Sequence, residues 1–146
     1  MDALIRTMVR QASAERAVVE LFVAIDQGEW ARVRRLFDDE LQVELSSVRG
    51  AVGTMGADDL VAAWMRGLSS LDAVHHQIGN LRSTIHEDEA HVACHGIAYH
   101  YRSNPPGENT RTLVGTYDIG LRDSPRGWHI HTLRFQLRFM AGNPDL

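Results

Sequence analysis

Residues 90–102 read AHVACHGIAYHYR, and the alternation in this run decides the fold. Strand side chains point to opposite faces in turn. One face therefore carries Ala90, Val92, Cys94, Gly96, Ala98 and His100, and the other His91, His95, Tyr99 and Tyr101. A row of small side chains ending in a histidine fills a core poorly. On a curved sheet it leaves space, so the row predicts the floor of a cavity.

Three more segments resemble it in composition. Residues 74–85, 112–122 and 128–139 are rich in Val, Ile, Thr, Tyr and Phe. Turn-like residues separate them: Glu87-Asp88, Pro105-Pro106-Gly107 within 103–109, and 123–127. Short connections make neighbouring strands antiparallel. In 74–85 the alternation puts Val74, His76, Ile78 and Asn80 on one face, so this strand too offers polar groups to an apolar surface.

Upstream, the pattern is helical. Val18, Leu21, Phe22 and Ile25 recur at the spacing of one helix face, Ser13 supplies an N-cap, and Gly28 ends the helix. A short second helix is predicted over 29–37, with Trp30, Val33 and Phe37 inward. A strand follows over 41–48, then a loop over 49–56 with three glycines. A third helix turns Leu60, Val61, Trp64 and Leu68 to one side. Helices first and strands last is the α+β pattern. The expectation is one domain, 1–146 with its core at about 14–143, with helices in the concave face of a curved, mixed, mostly antiparallel sheet.

Composition narrows the function. A length of 146 residues suits one domain, and 44% hydrophobic residues give it a core. Asp+Glu 19 against Lys+Arg 15, for a net charge of −4, argues against a nucleic-acid partner, and Arg32, Arg34 and Arg35 read as a solvated helix face. With Cys94 as the only cysteine, no intramolecular disulfide or thiol-rich zinc site can form, which fits a reducing compartment. The apolar run 17–25 is short and interrupted by Glu20, so no membrane segment is expected. These observations lead to the expectation of a cytoplasmic protein.

Asp26 lies at the edge of the first helix's apolar stripe and in its last turn, where the helix dipole opposes a negative charge. There it is either a general base or acid in apolar surroundings, or a solvated member of the Asp26-Gln27-Gly28 turn. His76 and His100 pose a parallel choice between structural and proton-transferring roles. A carboxylate beside an imidazole fixes its tautomer and raises its basicity, so the three together keep both readings open.

These residues also carry a family resemblance. Ala24-Ile25-Asp26-Gln27-Gly28-Glu29-Trp30, then 41–47, 74–80 and 90–102, are similar to SnoaL-like members of the nuclear transport factor two superfamily, and among them to scytalone dehydratase. There an aspartate precedes a short acidic-Trp segment, one histidine sits in His-x-Ile-Gly, and another ends the next strand. Asp26, His76 in His76-Gln77-Ile78-Gly79, and His100 match in turn. Asp26 and His76 also resemble the catalytic pair of hexachlorocyclohexane dehydrochlorinase. The resemblance implies a cone-shaped α+β barrel and elimination chemistry. Two tyrosines that hold water in scytalone dehydratase are Ile25 and Leu45 here, implying a more apolar substrate.

The expected activity is a cofactor-independent lyase acting on a small apolar, cyclic organic molecule. Asp26, His76 and His100 would be catalytic, and Asn80, Phe22, Trp64 and Tyr117 would bind substrate. An isomerase or cyclase would use the same parts. A non-catalytic carrier of a hydrophobic metabolite is the alternative from another class. The His129/His131 and His91/His95 pairs could hold a divalent metal, but read more simply as surface histidines, so no metal or other cofactor is expected. Met55, Met65, Trp64 and Phe139 read as core or interface residues, and exposed Tyr99 and Tyr101 suit a contact between copies in a homo-oligomer.

Overall fold

The computed structural model describes residues 2–146; Met1, where the expected domain begins, lies outside the described residues. Helix α1 spans Ala3–Asp26. It begins ten residues before the predicted Ser13 cap, because the Asp2 carboxylate accepts from the Leu4 amide at 2.6 Å. The extra turns carry exposed Leu4, Ile5, Met8 and Val9, so no apolar stripe announces them. The buried stripe is Ala14, Val18, Leu21, Phe22 and Ile25, as the spacing requires. At the other end Gly28 takes φ +67°, a left-handed turn that a Cβ would strain.

Helix α2 is Trp30–Leu36, with Val33 fully buried. Phe37 is buried as expected but already extended, and opens strand β1, Phe37–Glu44. The strand predicted over 41–48 thus lies four residues earlier, and Ser46–Val48 form a 3₁₀ turn. The predicted glycine loop holds a strand as well: β2, Val52–Gly56, pairs antiparallel with β1. Helix α3 is Ala57–Leu68, with Leu60 and Val61 buried.

The remaining strands are β3 (Ala73–His86), β4 (Glu89–Tyr101), β5 (Thr110–Ser124) and β6 (Gly127–Gly142). All six form one sheet in the order β2-β1-β6-β5-β4-β3. Every adjacent pair is antiparallel except β1 with β6, which makes the sheet mixed. It is an open sheet with β2 and β3 as edges, and α1 lies chiefly over β3. The architecture is the expected α+β fold of helices over a curved sheet.

The alternation in β4 holds without exception. Ala90, Val92, Cys94, Gly96, Ala98 and His100 are buried, while His91, His95, Tyr99 and Tyr101 are exposed. Of these inward residues, Ala90, Val92 and Cys94 join the helical stripe in one cluster with Val33, Phe37, Ile119, Leu121, Ile130 and Leu133. A fully buried leucine such as Leu21 contributes about 1.5–3 kcal/mol. That burial holds α1 against the sheet and delivers its last residue, Asp26, to β3.

Candidate active site

Asp26 and His76 meet across fifty residues of sequence. The Asp26 Oδ1 lies 2.6 Å from His76 Nδ1, and Oδ2 accepts from the His76 backbone N–H at 2.8 Å. A carboxylate only accepts, so Nδ1 carries a proton and, in the neutral ring, Nε2 keeps its lone pair. Both side chains are mostly buried, at 16% and 10% exposure. The solvated-turn reading of Asp26 is therefore set aside.

The His76 ring is aimed by packing as well. Phe22 lies one turn before Asp26 on α1, with its ring 5.1 Å from the imidazole. Tyr117 packs on Phe22 at 4.8 Å, and Phe135 on Tyr117 at 4.6 Å. This aromatic row corrects the expected cavity floor. A Cβ at Gly96 would stand 2.8 Å from Tyr117 Cδ2, so the space above the glycine is taken by that ring. Gly115 makes the same allowance for Phe135, whose Cζ would lie 2.5 Å from a Cβ there.

His100 is a diagonal neighbour of His76 on the same face, since Val74 pairs with His100 and His76 with Ala98. Its Nδ1 lies 2.9 Å from Arg111 Nη2 and 3.2 Å from Nε. Burial, then the Arg111 charge and the nearby His76, push its pKa down to about 4, against the opposing pull of Asp26. At neutral pH it is uncharged, with its proton on Nε2. This state suits hydrogen-bond donation more than delivery of a proton.

Burial foremost, with Cys94 and Asp26, also raises the Tyr117 phenol above its ordinary range. Neither His76 Nε2, His100 Nε2 nor the Tyr117 hydroxyl has a hydrogen-bond partner among the described residues. Yet no buried side-chain nitrogen or oxygen there lacks one. All three atoms therefore border space that water can enter.

One expected contact, Asn80, is not at this site. Asn80 was assigned to the inner face with His76, but β3 has a bulge between Gly79 and Arg82 that inserts one residue. Asn80 sits there at φ +52°, exposed, with its amide 3.1 Å from His95 Nδ1 on the outer face. Beyond the bulge the inward residues are Leu81, Ser83 and Ile85. Trp64 is partly buried, and its ring contact is with Phe37, edge-on at 5.8 Å.

Arg111 was missed. In β5 it continues the inward row of Leu113, Gly115, Tyr117, Ile119 and Leu121, and it stands directly opposite His100. A cation at an inward position of an apolar strand was the available signal.

The outer-face histidines have separate partners. His131 Nε2 lies 2.7 Å from Glu89, His91 lies 3.3 Å from Asp118, and His129 Nδ1 faces Ser124 and Gly127. Among the described residues no three His, Cys, Asp or Glu side chains gather as a ligand set. A surface cleft of about 320 Å³ opens beside Glu89, His91, Asp118 and His131, across the sheet from Asp26. No helix among the described residues is long and apolar enough to cross a membrane.

Known proteins share this architecture. The chain superposes on the Kfla4162 protein of Kribbella flavida with a TM-score of 0.84 at 23% identity, covering 94% of this chain and 96% of the other. A candidate scytalone dehydratase from Novosphingobium aromaticivorans gives 0.81 at 16% identity, over 93% and 89%. Hexachlorocyclohexane dehydrochlorinase LinA-type3 from Novosphingobium barchaimii LL02 gives 0.76 at 14%, over 99% and 97%. At such identities the likeness is one of fold. No curated protein matches the chain in sequence. The SnoaL-like domain matches residues 7–134, a span that includes Asp26, His76, His100 and Arg111, and the chain belongs to that SnoaL-like family.

Proposed function

We propose that the protein is a lyase that eliminates water or another small leaving group from an apolar, cyclic organic molecule. The observation that carries this reading is the 2.6 Å contact between Asp26 and His76 Nδ1, which leaves Nε2 as a base bordering open space. Nε2 takes a proton from carbon, and the C–H electron pair becomes the new carbon–carbon double bond. The leaving group departs with its own bonding pair. Asp26 stabilises the imidazolium that results, much as a carboxylate does behind any histidine base.

His100 Nε2–H stands on the same face and can donate to an oxygen that gains charge. Phe22 and the Tyr117 ring supply apolar walls, and Ile25 and Leu45, both buried, favour a substrate poorer in oxygen than a polyphenol. Solved structures of dehydratase and dehydrochlorinase type share the fold, which supports a lyase or isomerase. The same base would drive isomerisation if the proton returned to another carbon.

The test is incubation of the protein in D₂O with a panel of cyclic ketones, alcohols and halides, read by mass spectrometry. Elimination gives loss of the leaving group, and isomerisation gives deuterium at carbon without loss. His76→Ala is expected to abolish either product. Undiminished turnover by His76→Ala would remove the proposed base. Binding without any product would favour a carrier instead.

A further inference from the structure

Arg111 is a half-buried cation whose three hydrogen bonds all go to neutral acceptors. Two reach His100 Nδ1, and Nη1 reaches the Pro144 carbonyl at 3.4 Å. Among the described residues no carboxylate pairs with it. A guanidinium can only donate, so His100 Nδ1 must present its lone pair and carry its proton on Nε2. Asp26 imposes the converse on His76, drawing the proton to Nδ1 and baring Nε2. Two imidazoles on adjacent strands are thereby set in opposite tautomers.

The geometry points to Arg111 as a positioning residue that locks His100 as a hydrogen-bond donor, so that the site selects ligands bearing an acceptor oxygen. The groups facing His100 are Asp26 from α1, His76 from β3 and Arg111 from β5. The Arg111 charge behind the ring also strengthens Nε2–H as a donor to an oxygen that becomes more negative. The inference rests on the proposed base only for where the ligand's reacting carbon lies. Neither the tautomer nor acceptor binding requires turnover.

Long-range ¹H–¹⁵N correlation spectra of the full chain at pH 7 test the lock. His100 is expected protonated on Nε2 and bare on Nδ1. In Arg111→Met the Nδ1–H form appears, while Arg111→Lys, which still donates, keeps the wild-type pattern. The His76 signals serve as the internal control and stay as they are. If Arg111→Met fails to fold, Arg111→Leu, which likewise cannot donate, reads the same point. An Nδ1–H or imidazolium His100 in the wild type, or an unchanged tautomer in the folded variant, overturns the lock.

Ligand-observed titration with 1-indanone and indane tests the selection. Loss of Arg111 is expected to weaken indanone by about tenfold, the worth of one hydrogen bond, and to leave indane within about twofold. Wild-type protein that binds indanone no better than indane, or equal weakening of both, overturns it. These readouts can hold while Asp26→Asn leaves turnover intact. In that event the proposed base falls and the Arg111 assignment stands.

Discussion

Asp26→Asn changes one oxygen to an amide nitrogen and almost nothing in shape. Asp26 accepts twice from His76, from the ring at 2.6 Å and from the backbone at 2.8 Å. Asparagine has one acceptor oxygen and a donor NH₂, so both contacts cannot survive with the present tautomer. The arrangement that keeps two bonds has the amide oxygen on the backbone N–H and its NH₂ donating to a bare Nδ1. The ring proton then moves to Nε2, and the base loses its lone pair. The same substitution in a serine-protease triad, where it also leaves the wrong tautomer, costs about 10⁴-fold in kcat, and a positioned general base contributes about 10²–10⁴-fold. A fall in kcat of about 10³-fold follows, or about 4 kcal/mol of transition-state stabilisation, with KM little changed. Loss of charge-assisted bonding, offset by easier burial of a neutral amide, lowers stability by about 1 kcal/mol. Single-turnover kinetics and ¹⁵N spectra of His76 read the two effects separately. Turnover within about tenfold of wild type would refute the reasoning, as would a His76 that keeps its proton on Nδ1.

Acid stability follows from His100. Its folded pKa of about 4 lies below the ordinary value of 6.5, so the unfolded chain binds more protons between the two. The native state is favoured above pH 6.5, and that advantage is lost as pH falls toward 4. At pH 4.5 the loss is about 2–3 kcal/mol. Denaturant titrations are expected to show it in wild type and not in His100→Gln; parallel acid limbs would contradict it. Gly96→Ala should destabilise by about 1–3 kcal/mol and slow turnover, because its Cβ displaces the Tyr117 ring and, through Phe22, the His76 ring. Thermal melts with activity assays check both effects, and an unperturbed variant would mean the ring moves freely. Asn80→Ala should cost about 1 kcal/mol for the positive φ and leave kcat/KM unchanged, since the residue faces outward. A large kinetic effect would return Asn80 to the site.

Local periodicity carried the site a long way. The inward row of β4 and the buried stripe of α1 follow from residue spacing, because a strand or helix fixes direction within a few residues, whereas the pairing of Asp26 with His76 was implied by the family resemblance. What spacing could not supply was register. One inserted residue at Gly79–Asn80 turned Asn80 outward, and nothing in its alternation marks the insertion. Arg111 became a partner of His100 only through the β4–β5 pairing, a contact set by the hairpin as a whole. The aromatic rings over Gly96 and Gly115 were invisible for the same reason. The early start of α1 and the strand in the glycine-rich segment lacked buried residues to announce them, so capping and edge pairing decided both.

The glycine under Tyr117 has a broader consequence. Because the backbone of β4 is hollowed to receive a side chain from β5, the dimensions of the proposed binding space are set by exchangeable rings and not by the main chain. Trading Tyr117 or Phe22 for smaller or larger residues would resize the space while every strand stays in place. On such a scaffold, new ligand preferences would lie one or two codon changes apart, and the proposed Asp26–His76 pair need not be rebuilt to reach them.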